Sequence, residues 1–356
     1  MRKYTAITII FNLFVFSVLL LGCGSKSDDD VVEDAILHAN ILLSSRKCDE
    51  AIECLELIGR RQKNAMYLKT LASAYACKAG FDEPTLFATD FPKLTTNIVW
   101  GSFTNFTSSA VIKKSNAIAM NSMFEAIDIL LYAGGILKTT EPTSDERSNY
   151  FLASDALDIN IQLMYMSMAA IGTFVRYYGN ASAGVKGGGT YGNNCFINYK
   201  NAINLNTLGV TIEAFINANP FPAGNACNSK PDDDGHPDLE DSDGGDLNNN
   251  LSGDADIVQR LCKGVVFLNT FRQTLGEVIS SFTGDDLANL STVLSTGGND
   301  GVNDRAGQML LAKSGMGDVN TMLSYTNCVA EAVTDTASGS DNLQTYYLYM
   351  YEFLFK

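Results

Sequence analysis

From Ile161 to Val175 the chain is apolar almost all round, and this stretch restricts the fold more than any other. A helix with one polar face can lie on a surface; one without it must be covered on most sides. Asp155, Asp158 and Arg176 flank the stretch, and a clean membrane span wants roughly 20 unbroken apolar residues. The pattern therefore predicts a long helix over about 146–178 at the hydrophobic centre of a larger domain. Met164, Met166 and Met168 lie close together in it. Soft sulfur can bind metal or shape an adaptable groove, but filling a core is its commoner use.

The covering layers are predicted to be helical too. Ile36, Ala39 and Leu43 recur at helical spacing, and a turn at 46–48 leads to Asp49, an N-cap candidate, and to the stripe Ala51, Ile52, Leu55 and Ile58. Asn64 is placed to cap a third helix carrying Met66, Tyr67, Leu71, Ala72, Tyr75 and Ala79, with Gly80 as its stop. Residues 92–107, rich in Thr, Asn and aromatic residues and holding the sole tryptophan, Trp100, read as a connector packed on the surface. Met120, Met123, Phe124, Ile127, Leu130 and Leu131 mark another helix that stops at Gly134-Gly135, before a polar loop over 140–145. Further helices are expected over about 195–218, 254–282, 285–294, 318–333 and 341–356, with Asp254, Asp285, Asp318 and Asp341 at their acidic starts. The glycine-rich run over 184–192 lacks the order of a phosphate loop and no strand precedes it, so it reads as a plain loop. No alternating strand series is evident. The class is all-α: a helical hairpin fused to a larger helical domain with a long acidic loop.

Two segments of the first helices carry a resemblance. Cys48-Asp49-Glu50-Ala51-Ile52 resembles the second-helix opening of a tetratricopeptide repeat, and Leu71-Ala72-Ser73-Ala74-Tyr75 followed by Gly80 resembles the first helix of the next. Ala39 and Ala72 both take the small position where helices cross closely, close to one repeat length of about 34 residues apart. The match covers about one and a half repeats, while a free-standing solenoid needs about three. Membership would imply a protein-binding concave face; an ordinary helical hairpin is the alternative. The organisation expected is a signal segment over 1–22, an acidic tether over 23–32, repeat-like helices over 33–91 and a helical domain over 92–356.

The amino terminus fixes the compartment expected for this fold. Arg2 and Lys3 precede an apolar run from Ala6 to Leu21, and Leu20-Leu21-Gly22-Cys23 closes it. That is the layout of a secretory signal, and its ending resembles the bacterial lipoprotein box. The resemblance implies cleavage before Cys23, a diacylglycerol on its sulfur and an acyl chain such as palmitate on the new amino terminus. Gly24 resembles the residue that sends such proteins to the outer membrane. The tract Lys26 to Asp30 is loosely similar to a surface-export signal of some Bacteroidetes lipoproteins; a solvated tether is the plainer reading. An uncleaved anchor with Cys23 incidental is the alternative to the whole arrangement.

Export makes disulfides the expected state of Cys48, Cys54, Cys77, Cys195, Cys227, Cys262 and Cys328. Their number is odd, so at least one stays outside an internal bridge. The pairings expected are Cys195 with Cys227, Cys262 with Cys328, and Cys77 with either Cys48 or Cys54. With no C-x-x-C pair and only His38 and His236 to add imidazole, a structural zinc site does not fit. The net charge of −15 argues against nucleic acid, whose phosphates need clustered Lys and Arg.

One stretch has metal chemistry in it. Between Lys230 and Arg260 there is no basic residue other than His236, yet Asp232, Asp233, Asp234, Asp238, Glu240, Asp241, Asp243 and Asp246 crowd together. A compact loop over 228–253 needs a cation to hold such charges close; otherwise it stays extended. The spacing of Asp232, Asp234, Gly235, Asp238 and Asp241 resembles the calcium loop of thrombospondin type 3 repeats, with Asp243 as a further oxygen donor. Lys230 stands where that family usually begins with another Asp. Hard calcium takes six to eight oxygens, so calcium is the cofactor expected, against the alternative of a solvated acidic loop.

No nucleophile elbow or H-E-x-x-H motif is present, and carboxylate pairs are too many to single out an acid and a base. The reading expected is therefore a lipid-anchored envelope protein, not an enzyme, that binds a protein partner as a scaffold or adaptor. A capture lipoprotein for a nutrient or polymer is the alternative, spoken for by Trp100 and scattered tyrosines.

Overall fold

The computed structural model describes residues 27–93, 102–106, 117–178, 181–182, 185–186, 196, 204–205, 210–211, 255–281, 323–334, 343 and 346–352. Ser27 opens the first helix, α1 (Asp28–Ser44), through a reciprocal capping box. Its hydroxyl accepts from the Asp30 amide at 3.3 Å, while the Asp30 carboxylate accepts from the Ser27 amide at 3.3 Å. Asp28, Asp29 and Asp30 sit in the first turn, where the helix dipole favours them. The part of the expected acidic tether that is described is thus helix, because those acids cap better than they dangle.

Arg46 adopts φ +56° and turns the chain from α1 into α2 (Cys48–Leu57). Lys47, not Asp49, takes the N-cap place; the tight turn starts the helix early and leaves Asp49 and Glu50 in its first turn. Asn64 caps α3 (Ala65–Lys78) as expected, its side-chain oxygen accepting from the Tyr67 amide at 2.9 Å. Gly80 ends it at φ +87°, with Gly80 N–H on Cys77 O and Phe81 N–H on Ala76 O, both 2.9 Å. That pair of bonds is a Schellman cap, which an L residue would strain. Met66 is an exception to the expected stripe: it is exposed, and the buried side of α3 is made by residues such as Tyr67, Leu68, Leu71, Ala72 and Ala76.

A helical segment over 83–93 follows, then α4 (Ala117–Leu131), where Met120, Met123, Ile127, Leu130 and Leu131 are all buried. Gly134 and Gly135 both take φ +86° and stop the chain. The helix expected over 146–178 is broken in two: α5 (Ser144–Ser148), capped by Thr143, and α6 (Ala153–Tyr178). The break falls where the Arg147 side chain turns inward and Tyr150 lies over Gly134. The prediction of an enclosed central helix holds. Leu163, Met164, Met166, Met168, Ile171 and Phe174 are all buried, and the methionines are core filler.

The rest of the core comes from α7 (Ala255–Ser281), α8 (Tyr325–Thr334) and a π-turn, Tyr347–Tyr351, near the carboxyl end. α7 packs along α6, and Tyr346, Tyr347 and Tyr351 donate to the carbonyls of Val265, Leu261 and Gly264 at 3.3, 2.8 and 2.6 Å. The aromatic tail closes the core as a terminal helix, as expected, with Leu343 and Tyr346 α-helical and Tyr347–Tyr351 wound as a π-turn. Strand pairing among the described residues is limited to two short antiparallel contacts: β1 (Ala181–Ser182) with β2 (Val185–Lys186), and β3 (Asn204–Leu205) with β4 (Val210–Thr211). The second corrects the helix expected over 195–218. Val210 and Thr211 are β-branched, and Asn206 and Gly209 between the strands are turn formers. The fold remains all-α.

One hydrophobic cluster runs from Val32 in α1 to Tyr351. The first three helices are joined to the rest through α3, which packs on α4 and α6. Lys69 pairs with Asp158 at 2.7 Å, and Gln162 donates to Ser73 Oγ at 2.7 Å and to Lys69 O at 3.2 Å. Residue numbers rise together along these contacts, so α3 and α6 run parallel.

Two disulfides staple this arrangement. Cys48–Cys77 ties α2 to α3, and Cys262–Cys328 ties α7 to α8. The second is as expected, and the first settles which cysteine Cys77 takes. Closing such loops stabilises a fold by about 2–4 kcal/mol each. Cys54 is in neither bridge; its sulfur lies 3.5 Å from His38 Nδ1 and 3.9 Å from the Ala35 carbonyl. No described helix is long and apolar enough to cross a membrane.

Candidate functional site

The amino-terminal half of α4, the carboxyl end of α6 and the first turns of α7 converge on a pocket of about 230 Å³. α4 supplies Met120 and Asn121, α6 supplies Phe174 and Tyr178, and α7 supplies Gln259, Arg260 and Lys263. Spacing explains the α7 set, since Gln259 and Lys263 are one turn apart with Arg260 beside them. Lys263 Nζ donates to Asn121 Oδ1 at 2.5 Å and stands 5.4 Å over the Phe124 ring. Phe174 and Tyr178 meet at 4.6 Å between ring centres and form an apolar wall. Two cationic groups and two amides beside aromatic rings suit a ligand with an anionic end and a flat or apolar body. Of these lining residues only Met120 drew notice in the sequence, and then as part of an apolar stripe, because three helices distant in the chain bring the set together.

A second pocket, of about 160 Å³, opens where α1 and α3 meet α6. Arg46 and Asp82 pair across it at 2.9 Å, and Cys77, Glu83, Gln162 and Tyr165 are among its walls. Burial raises the Glu83 carboxyl, and burial together with the Glu83 charge pushes the Tyr165 phenol up to about 12. Phe87, Phe91 and Tyr165 form an edge-to-face trio beside it, with centroids 4.9–5.7 Å apart. The side of α3 that faces α6 is therefore largely covered by the chain's own helix. The outer side of α1 is open: Leu37 and Ile41, one turn apart, are 62% and 57% exposed.

Electrostatics fasten these helices together. Arg60 reaches Glu56 at 2.9 Å and Glu125 of α4 at 2.7 Å; burial opposes its charge, but the two carboxylates outweigh that and hold the guanidinium above its ordinary range. Asp128 is buried beneath Lys138 at 2.7 Å. Burial raises its carboxyl, and the lysine acts in the opposite sense without cancelling it. A carboxyl raised in the folded state disfavours folding while it is charged, and that cost is lost as pH falls through the folded value toward the unfolded one. Wild type should accordingly gain stability relative to Asp128→Asn between pH 7 and pH 4, read from urea unfolding at both values. A gap between the two proteins that did not move with pH would count against this account.

Among the described residues no group of three or more His, Cys, Asp or Glu comes together to hold a metal. The calcium candidates Asp232, Asp234, Asp238, Asp241 and Asp243 lie outside the described residues, as do Cys23, Cys195, Cys227, Trp100 and the acids at 254, 285, 318 and 341. His38 lies on α1 beside Cys54, an ordinary place for a surface histidine. No protein-family model matches the chain, no curated protein matches it in sequence, and no solved structure matches it.

Proposed function

We propose that this chain is a lipid-anchored protein of the bacterial cell envelope, held at the outer membrane through Cys23, and that it serves as a non-enzymatic scaffold or adaptor for a protein partner. The observation that supports this reading is the exposed apolar pair Leu37 and Ile41 on α1, a helix braced by the Asp28–Arg61 ion pair and seated on the stapled α2–α3 pair. Apolar residues in register on a helix face are a usual footprint of a partner. The repeat-like segments around Asp49 and Ala72 point the same way. The acidic loop over 228–253 is proposed to bind calcium through Asp232, Asp234, Asp238, Asp241 and Asp243, which would neutralise its crowded charge.

Crosslinking in intact envelopes followed by pull-down tests the scaffold. A stoichiometric protein partner, lost when Leu37 and Ile41 are both changed to glutamate, is the expected result. Recovery of the same partner by the double variant would place contact elsewhere. Calorimetry with calcium is expected to give millimolar or tighter binding that Asp234→Ala and Asp238→Ala weaken by at least about tenfold. The pocket holding Arg260, Lys263, Phe174 and Tyr178 favours a second reading, capture of a small nutrient or polymer end; bound glycan or organic acid in the pull-down would support it.

A further inference from the structure

Exposed apolar side chains are not spread evenly over this fold. The α1–α2 turn makes these two helices antiparallel, so the end of α2 returns to the start of α1. Arg61, just after α2, grips Asp28 in the first turn of α1 with two bonds of 2.9 Å. The Gly134 amide donates to Gln62 O at 2.8 Å, which brings the chain after α4 to the same place. Tyr150 lies over Gly134, and because α6 runs parallel to α3, both helices begin at this end. One end of the bundle thus collects Leu57 and Leu152, each 75% exposed, Leu137 at 70%, and the exposed Met66 and Tyr150. Phe87 lies beyond the far end of α3.

The end that collects them is also the end from which the anchor would emerge. Only Gly24, Ser25 and Lys26 separate Cys23 from the cap residue Ser27. Fully stretched, the step from Cys23 to Ser27 spans at most about 14 Å. An acyl-anchored Cys23 therefore holds the start of α1, and with it this apolar end, against the lipid headgroups. Charge at this end is mixed: Asp28 is paired with Arg61 and Arg60 with Glu56 and Glu125, while Asp29, Asp30 and Lys63 are exposed, so apolar burial and the acyl chains rather than charge carry the approach.

We infer that this end of the bundle docks on the bilayer, with Leu57, Met66, Leu137, Tyr150 and Leu152 entering the interfacial layer beside the anchor. The occupant of the patch is the lipid surface itself. The inference rests on the lipid-anchor reading above. Leucine side chains entering the headgroup boundary add apolar burial to that of the acyl chains, and tyrosine suits a site with one wet and one apolar side. The outer face of α1, with Leu37 and Ile41, stays free for a protein.

The test uses the full chain, acylated in cells and reconstituted into vesicles of phosphatidylethanolamine and phosphatidylglycerol at three to one, with or without brominated phosphatidylcholine. Leu57→Trp, Leu152→Trp and Phe87→Trp are each compared with wild type, whose emission from Trp100 is subtracted. Flotation and the mass of the Cys23 peptide are read on the same samples. The expected result is flotation with quenching of the added emission at positions 57 and 152 at least about threefold that at 87. Flotation with equal quenching at all three positions overturns the docking and leaves the anchor standing. Absence of an acyl mass on Cys23 overturns the anchor reading and the docking with it.

Discussion

Leucine in place of Gly264 is expected to keep the protein from reaching its native state. Gly264 lies inside α7, where alanine would ordinarily be favoured by about 1 kcal/mol. Here a Cβ would stand 2.8 Å from Phe174 Cζ and 3.1 Å from its Cε1, and closer still to the Tyr347 hydroxyl. The Tyr347 ring has no room to retreat, and Phe174 can give only toward the pocket it lines. Tyr347 is fully buried, donates to Leu261 O at 2.8 Å and stacks on Tyr351 at 4.7 Å, while Phe174 is hemmed in by Tyr178 and Phe267. Overpacking costs about 1–3 kcal/mol for small additions, so sterics win over propensity even for Gly264→Ala. The alanine protein should lose about 1–2 kcal/mol, and the leucine protein more than about 5, most of a typical domain's stability. Urea unfolding followed by circular dichroism checks both. An alanine protein with an unchanged or raised midpoint would show that α6 and the aromatic turn do not press on α7 as described.

Removing the guanidinium of Arg147 should cost about 4–5 kcal/mol, near the top of what single substitutions do. The side chain is fully buried. Its Nε donates to Asn160 Oδ1 at 2.9 Å, one terminal nitrogen to the carbonyls of Pro142 and Leu131 at 2.9 and 3.4 Å, and the other to Ser144 Oγ at 3.2 Å. These bonds tie the end of α4, the loop before α5, the start of α5 and the first third of α6 to one group. Arg147→Ala would leave the acceptors buried without that donor and open a cavity as well. Arg147→Met fills the space and restores no bond, so its loss should fall between wild type and alanine. Equal midpoints for the alanine protein and wild type would sink the argument.

Much of the architecture was legible where a single residue does a local job. Asn64 as a cap, Gly80 as a stop, Gly134-Gly135 as a break and the enclosed run 161–175 all follow from short-range chemistry, and the structure has each of them. Cys262 does pair with Cys328, but that match was a guess, since cysteine spacing alone dictates no connectivity. What escaped depends on neighbours distant in sequence. Arg147 reads as a surface charge on a helix until the fold surrounds it with oxygens, and that inward turn accompanies the break between α5 and α6. The β3–β4 pairing was hidden because Leu205, Leu208 and Ile212 mimic helical spacing over a short window. The pocket of Asn121, Arg260 and Lys263 had no local signature at all, since no short motif spans three helices.

The bridge between Cys262 and Cys328 makes a closed ring of the chain that spans 66 positions and takes in most of α7. A protease that nicks the backbone once inside that ring releases nothing: the two pieces stay threaded on one covalent bond until a reductant reaches the sulfur. On a non-reducing gel such a nicked protein would run as a single full-mass species, and only thiol treatment would split it. Wherever the surroundings keep that bond oxidised, a cut there need not mean a lost carboxyl end.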